Sequence, residues 1–223
     1  QSLAGRQSKV FALDNPSAEL RAEEISSNAQ GQVAFTLCHR DQRQPVQLAL
    51  LGRHNVANAL AAAAAALLLG LELSEIASGL AALEAVKGRA CPLRSSQGAL
   101  IIDDSYNASP AAVKAAIDLL ADLSGERILV LGDMGELGEW AESSHREVGD
   151  YARNQGLQAL YSCGALAALA AEAFGPGAQH FDNKTDLLQA LRPQLNAKTC
   201  VLVKGSRATG MEQVVEGLFR DDD

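Results

Sequence analysis

The sequence predicts an α/β protein whose larger part is a mostly parallel sheet covered by helices on both faces. From Ala99 onward, short apolar runs alternate with longer helical segments, the pattern of parallel strands joined by crossover helices. Hydrophobic residues make up 48% of the chain and aromatics only 4%, so alanine and leucine fill the interior. Helices rich in such side chains suit close packing on a sheet. The first fifty residues instead break into short extended runs with polar turns, which indicates a smaller, antiparallel β region.

The elements follow in order. An extended run over Lys9–Leu13 meets the turn Asp14-Asn15-Pro16-Ser17. Strands are expected at Arg21–Ile25, Val33–Cys38 and Val46–Leu50. A helix from Asn55 to Leu69 consists almost wholly of alanine and leucine; apolar all round, it should be buried. Gly70 closes it. A second helix opens at Ser74, with Glu75 in its first turn, and runs to Leu83. The Val86–Pro92 stretch carries the domain boundary, which divides the chain into 1–91 and 92–223.

In the second part, strands are expected at Ala99–Asp103, Arg127–Leu131, Ala159–Ser162, Gln179–Phe181 and Cys200–Val203. The helices between and after them cover Ser109–Leu123, Glu142–Asn154, Ala165–Phe174, Thr185–Leu195 and Met211–Phe219. Ser109-Pro110 is an N-cap followed by a first-turn proline. Asp221-Asp222-Asp223 reads as a solvated tail.

Charge and cysteine usage narrow the function. A net charge of -8 repels phosphate backbones, which argues against nucleic-acid binding but leaves room for a local basic pocket. Gln1–Arg6 lacks the apolar core of a signal peptide, and the longest apolar run, Ala59–Leu69, is too short to span a bilayer. A soluble, cytoplasmic protein without a membrane partner is expected. Cys38, Cys91, Cys163 and Cys200 form no Cys-x-x-Cys or Cys/His cluster and read as free thiols, with zinc or disulfides as the alternative. An extended segment almost at the first residue fits a chain cut from a longer one.

Ligands of open α/β sheets bind beyond the carboxyl ends of the strands. Asp103 and Asp104 stand at such a tip, where a carboxylate can accept from a ribose or an amine, or merely cap backbone N–H groups. Gly132-Asp133-Met134-Gly135-Glu136-Leu137-Gly138 is not a dinucleotide fingerprint and reads as a turn into a helix. Lys204-Gly205-Ser206-Arg207 sets two cations and a hydroxyl between a strand and a helix, a place that favours an anion, although no Walker loop occurs in the chain. Asn55 and Asn58 can share one helix face and read a purine edge, or Asn55 can be only a cap. Arg89 can reach a phosphate or remain an exposed cation. His39, His54, His145 and His180 have no ligand-like spacing, and no metal site is expected from these residues.

The order of these segments is more specific than any one of them. Gly52-Arg53-His54-Asn55-Val56-Ala57-Asn58, then Lys87-Gly88-Arg89, Asp103-Asp104-Ser105-Tyr106-Asn107, Gly132-Asp133-Met134 and Lys204-Gly205-Ser206-Arg207 with Met211-Glu212, resembles the Mur ligase family of ATP-dependent peptide ligases. Within it, the Asp-Asp-Ser-Tyr-Asn and Lys-Gly-Ser-Arg motifs look like the branch that adds D-alanyl-D-alanine to UDP-N-acetylmuramoyl-tripeptide in peptidoglycan precursor synthesis. The resemblance implies that 1–91 is the end of a central ATP-binding domain and 92–223 a Rossmann-like C-terminal domain. The phosphate loop, the Mg2+ ligands and a UDP-binding domain have no counterpart in the chain.

Implied roles follow by position. Asn55 and Asn58 would sit at the adenine, Arg89 at the ATP phosphates and Asp104 at the ribose, with Tyr106 beside the nucleotide. Asn107, Ser206 and Arg207 would hold substrate, and Arg89 and Lys204 would be catalytic, with Lys204, Ser206 and Arg207 facing a cleft. The implied reaction forms an acyl-phosphate that the dipeptide amine then attacks, catalysed by positioning and charge neutralisation in a monomer. This polypeptide alone would be inactive. The alternatives are another Mur or folylpolyglutamate-type ligase, or a non-catalytic nucleotide- or phosphate-binding module.

Overall fold

The computed structural model describes residues 10–220, positions 14 and 29 excepted. Gln1–Arg6, Lys9, Asp14 of the predicted turn and the tail Asp221–Asp223 lie outside the described residues. The chain forms two compact units that part between Glu84 and Ala85. The sequence boundary at 91/92 lies seven residues later. The Lys87–Ala90 segment belongs to the second unit because its amides bond to Asp103 and Asp104 there.

The first unit is a four-stranded sheet, β1 (Phe11–Ala12), β2 (Leu20–Ser27), β3 (Gln32–His39) and β4 (Gln42–Leu51), with α1 (His54–Leu68) and α2 (Leu73–Ala81) against it. β2, β3 and β4 pair antiparallel as expected, whereas β1 runs parallel to β2. Alternate strand residues Val33, Phe35, Leu37, Val46 and Leu48 pack with Val56, Leu60, Ile76 and Leu80 in one core.

α1 departs from expectation. It buries Val56, Ala59, Leu60, Ala63 and Ala64, while Ala61, Ala62, Ala65 and Leu68 are exposed in this unit. An alanine helix carries its apolar character on every face, so composition does not say which face is covered. Gly70 closes α1 at φ +87°. The Leu71 amide donates to Ala66 O and the Gly70 amide to Leu67 O, the two bonds that satisfy the last carbonyls of a helix. α2 begins one residue before Ser74, and Glu75 Oε2 accepts from the Glu72 amide at 2.9 Å.

The second unit is a six-stranded sheet in the order β5-β6-β10-β7-β8-β9. The strands are β5 (Cys91–Arg94), β6 (Leu100–Asp104), β7 (Glu126–Gly132), β8 (Ala159–Cys163), β9 (Ala178–Phe181) and β10 (Thr199–Lys204). All neighbours pair parallel except β5, which is antiparallel to β6. β5 was not foreseen: Pro92 and Arg94 mask it, and an edge strand tolerates proline. The helices are α3 (Pro110–Ala121), α4 (Ala141–Asn154), α5 (Ala167–Phe174), α6 (Lys184–Leu191) and α7 (Glu212–Leu218). Ile101, Val130, Val201 and Val203 pack with Leu187, Leu191 and Val214 on one face. The alternating residues Leu100, Ile102, Leu129, Leu131 and Leu202 are equally buried. α3 packs on β7 and β10, and α5 on β8. Both faces of the sheet are thus covered.

Candidate functional site

The last strand, β10, inserts beside β6, and the register pairs Val203 with Asp103 and Lys204 with Asp104. The polar residues at the two strand tips therefore meet. Lys204 Nζ donates to Asp104 Oδ2 at 2.6 Å and to Asn107 O at 2.9 Å. Its side chain is only 4% exposed. Lys204 was expected to face a cleft; the register turns it inward to a carboxylate instead.

The two aspartates differ in role. Asp103, 1% exposed, accepts from the Gly88 amide through Oδ2 (3.1 Å) and from the Ser105 amide and hydroxyl through Oδ1 (3.2 and 2.6 Å). Capping is therefore what Asp103 does. Asp104 Oδ1 accepts from the Ala90 amide at 3.1 Å, so both its oxygens are already engaged. The Tyr106 amide in turn donates to Gly88 O at 3.0 Å. Asp103 and Asp104 at the β6 tip, with Tyr106 just beyond it, thus grip the Lys87–Ala90 loop.

That grip presents Arg89 outward. Its guanidinium carbon lies 4.3 Å from the centre of the Tyr106 ring, and that of Arg207 lies 5.8 Å from the same centre. Tyr106 is 45% exposed. Two guanidinium groups on one accessible ring form a compact positive surface in a protein of net charge -8. Arg207 Nη1 also approaches Glu212 Oε1 at 3.4 Å. Tyr106, Arg207, Glu212 and Lys87 border a cavity of about 350 Å3. Asn107 is exposed, and its Oδ1 accepts from the Ala108 amide at 2.8 Å.

The Gly132–Gly138 loop supports the β10 tip from the side. The Ser206 amide donates to Asp133 O at 2.8 Å, and Ser206 is buried, contrary to the expected exposure. Asp133 Oδ1 accepts from the amides of Leu166 and Ala167 at the start of α5 (3.0 and 2.7 Å). Fully buried His145 accepts from the Met134 amide at Nε2 (2.9 Å) and contacts Ala141 O through Nδ1 (2.6 Å). Only the Nδ1–H tautomer satisfies both contacts. Sequence reading assigned nothing to Asp133, His145 or Glu212. Asp133 reaches amides more than thirty residues away and His145 the Met134 amide, partners for which no local motif exists.

Asn55 and Asn58 lie in the first unit, on one face at the start of α1, as their spacing implied. Asn58 Nδ2 donates to Asn55 Oδ1 (3.0 Å), and Asn55 Nδ2 to Leu51 O (2.7 Å). Asn55 is inside the helix rather than its cap, and of the two Asn58 is the more exposed, Asn55 being half-buried. Among the described residues, no three His, Cys, Asp or Glu side chains are placed to hold a metal. No helix of the described residues is long and apolar enough to cross a membrane.

Comparison with known proteins follows the same division. Residues 88–207 match the Mur ligase, glutamate ligase domain, and residues 2–66 the Mur ligase middle domain. The UDP-N-acetylmuramoyl-tripeptide–D-alanyl-D-alanine ligase of Escherichia coli is 39% identical over 98% of the chain and 48% of its own length. MurF from Acinetobacter baumannii superposes with a TM-score of 0.84 at 31% identity, covering 93% of this chain and 46% of that one. MurF from Thermotoga maritima, solved with ADP, gives 0.80 at 26% identity, over 93% and 47%. The chain spans about half the length of the relatives it matches.

Proposed function

The chain belongs to the Mur ligase family, and we propose that it forms part of an ATP-dependent ligase that joins D-alanyl-D-alanine to UDP-N-acetylmuramoyl-tripeptide. The observation that carries this reading is the 39% identity, across nearly the whole chain, to a ligase of that name. Residues 85–220 would then be the C-terminal domain and the first unit the end of the middle domain. The work would serve cell-wall synthesis in the cytoplasm, a reducing compartment that suits four free cysteines, and the ligase would act as a monomer.

The arrangement suits an anionic nucleotide. Arg89 is exposed, stacked and backed by the Lys87–Ala90 loop, so its guanidinium can meet phosphate oxygens with little loss of side-chain freedom. Asn58, and Asn55 behind it, offer the paired donor and acceptor that an adenine edge requires. Arg207 and Asn107, exposed at neighbouring tips, are the groups best placed to meet the incoming dipeptide. A bound nucleotide supplies the phosphoryl group that activates a carboxylate; these residues bind, orient and neutralise charge. Mg2+ finds no donor set among the described residues.

The test is ATP-dependent phosphate release with UDP-muramoyl-tripeptide and D-alanyl-D-alanine. It compares this chain with one extended at its N-terminus to the length of its relatives. Release that requires the dipeptide, in the extended protein, supports the ligase. A folded extended protein that binds ATP without dipeptide-dependent release returns the chain to the rank of a nucleotide-binding module.

A further inference from the structure

We propose that Asp104 and Lys204 are a positioning pair that sets the Arg89 guanidinium, and that neither the ammonium of Lys204 nor its charge touches substrate. The inference rests on the ligase reading only where it predicts turnover.

Three observations carry it. First, Lys204 is sealed: its side chain is 4% exposed, and two of its three N–H bonds go to Asp104 Oδ2 and Asn107 O. A group that meets a phosphate or a dipeptide needs an open approach. Second, Asp104 has one oxygen on Lys204 and the other on the Ala90 amide. A carboxylate held at one oxygen by a fixed cation cannot swing away from the amide it accepts from. Third, Ala90 has φ +49°, a left-handed conformation that a residue with a Cβ adopts only when its surroundings hold it there. The Ala90 amide bond to Asp104 is such a hold, one residue beyond Arg89. On the other side of Arg89, the Gly88 amide is held by Asp103 and the Gly88 carbonyl by the Tyr106 amide. Arg89 is therefore the middle residue of a loop pinned on both sides, with its guanidinium laid on the ring that follows the two aspartates.

The chain of action runs from Lys204 to Asp104, to the Ala90 amide, to the direction of Arg89. It predicts a defect in phosphate handling from a residue that binds no phosphate.

The test uses Lys204→Met, which keeps the stem and removes the charge, and Asp104→Asn, which keeps the shape. In this chain the readouts are amide hydrogen exchange at Gly88 and Ala90 and the ring-current shift that Tyr106 imposes on the Arg89 side chain in NMR spectra. For Lys204→Met, at least tenfold faster exchange at Ala90 and loss of the Arg89 shift are expected, with β7 and β8 amides unchanged. Unchanged Arg89 signals with Ala90 exchange within twofold of the parent would overturn the proposal. Should Lys204→Met unfold the whole unit, Asp104→Asn decides by the same readings, with at least fivefold faster exchange at Ala90 expected. In the extended ligase, Lys204→Met should lower kcat/KM for ATP at least tenfold and leave the dipeptide KM within twofold. A selective rise in dipeptide KM, with Arg89 signals unmoved, would assign Lys204 to the substrate instead. An extended parent without turnover would sink the ligase reading and leave the exchange result standing.

Discussion

Lys204 Nζ and Asp104 Oδ2 lie 2.6 Å apart at adjacent strand tips, one hundred positions apart in the chain, with side chains 4% and 19% exposed. Removing one member of a buried pair leaves the other charge without compensation, which typically costs about 3–5 kcal/mol. Asp104 retains some contact with solvent, so the lower end applies. Lys204→Met is predicted to lose about 3 kcal/mol in urea denaturation; a loss below about 1 kcal/mol would show that solvent screens the pair.

Gly88 is predicted to tolerate no side chain. It has φ +79°, and an added Cβ would lie 3.2 Å from Tyr106 Cβ. Gly88→Ala combines a left-handed strain of roughly 1–2 kcal/mol with a close contact against the Cβ and backbone of Tyr106, whose ring carries Arg89. The expected result is a loss of about 2 kcal/mol in denaturation together with a changed Tyr106 environment in NMR. Parent-like stability would mean that the loop is slack.

His145 is predicted to be a structural residue of the Gly132–Gly138 loop. His145→Phe sets a somewhat larger ring in its place and abandons the Met134 amide and Ala141 O. At about 1–3 kcal/mol for each of the two buried groups left unpaired, the loss should reach roughly 2–6 kcal/mol. Faster amide exchange at Met134 and Ser206 should accompany it. Exchange confined to His145's own helix would contradict the link to the loop.

Helices α4 and α5 should be sensitive to a single methyl group. A Cβ at Gly149 would lie 2.1 Å from the Ala170 carbonyl oxygen, a backbone atom that cannot yield without moving the helix. Gly149→Ala is predicted to destabilise by about 2–3 kcal/mol despite its better helix propensity. A neutral or stabilising outcome in a thermal melt would mean that the helices separate freely.

The thiols should differ in reactivity. Burial pushes all four thiols above the ordinary value of 9.0, but Cys38, Cys163 and Cys200 are buried, whereas Cys91 is half-buried and open to reagent. The unfolded chain then ionises first, so these groups contribute stability that is present below pH 9 and is lost as pH rises from there through the raised folded values. A thiol reagent at pH 8 should label Cys91 first and the other three only in denaturant. Equal labelling in the folded protein would refute this order.

Much of this protein was legible from period and punctuation. The apolar runs of β6, β7, β8 and β10 and the Ser109-Pro110 start of α3 emerged near their observed places because each is a local signal. The Asn55–Asn58 face followed from helical spacing alone. β5 was missed because Pro92 obscures an edge strand, and α1 was expected to be buried all round because alanine marks no preferred face.

What the sequence by itself determined is the alternation of elements, the family and the set of polar residues at the strand tips. What only the tertiary structure decided is the part each of those residues plays. Asp103 and Asp104 are neighbours in sequence, yet one caps its own loop and Gly88 while the other joins Lys204 to Ala90. Lys204 and Arg207 are both cations of one motif, yet one is sealed and the other 68% exposed. The physical reason is register. A strand's direction of facing is local, but its partner is chosen by the pairing of the whole sheet, and only the insertion of β10 beside β6 brings position 204 to position 104.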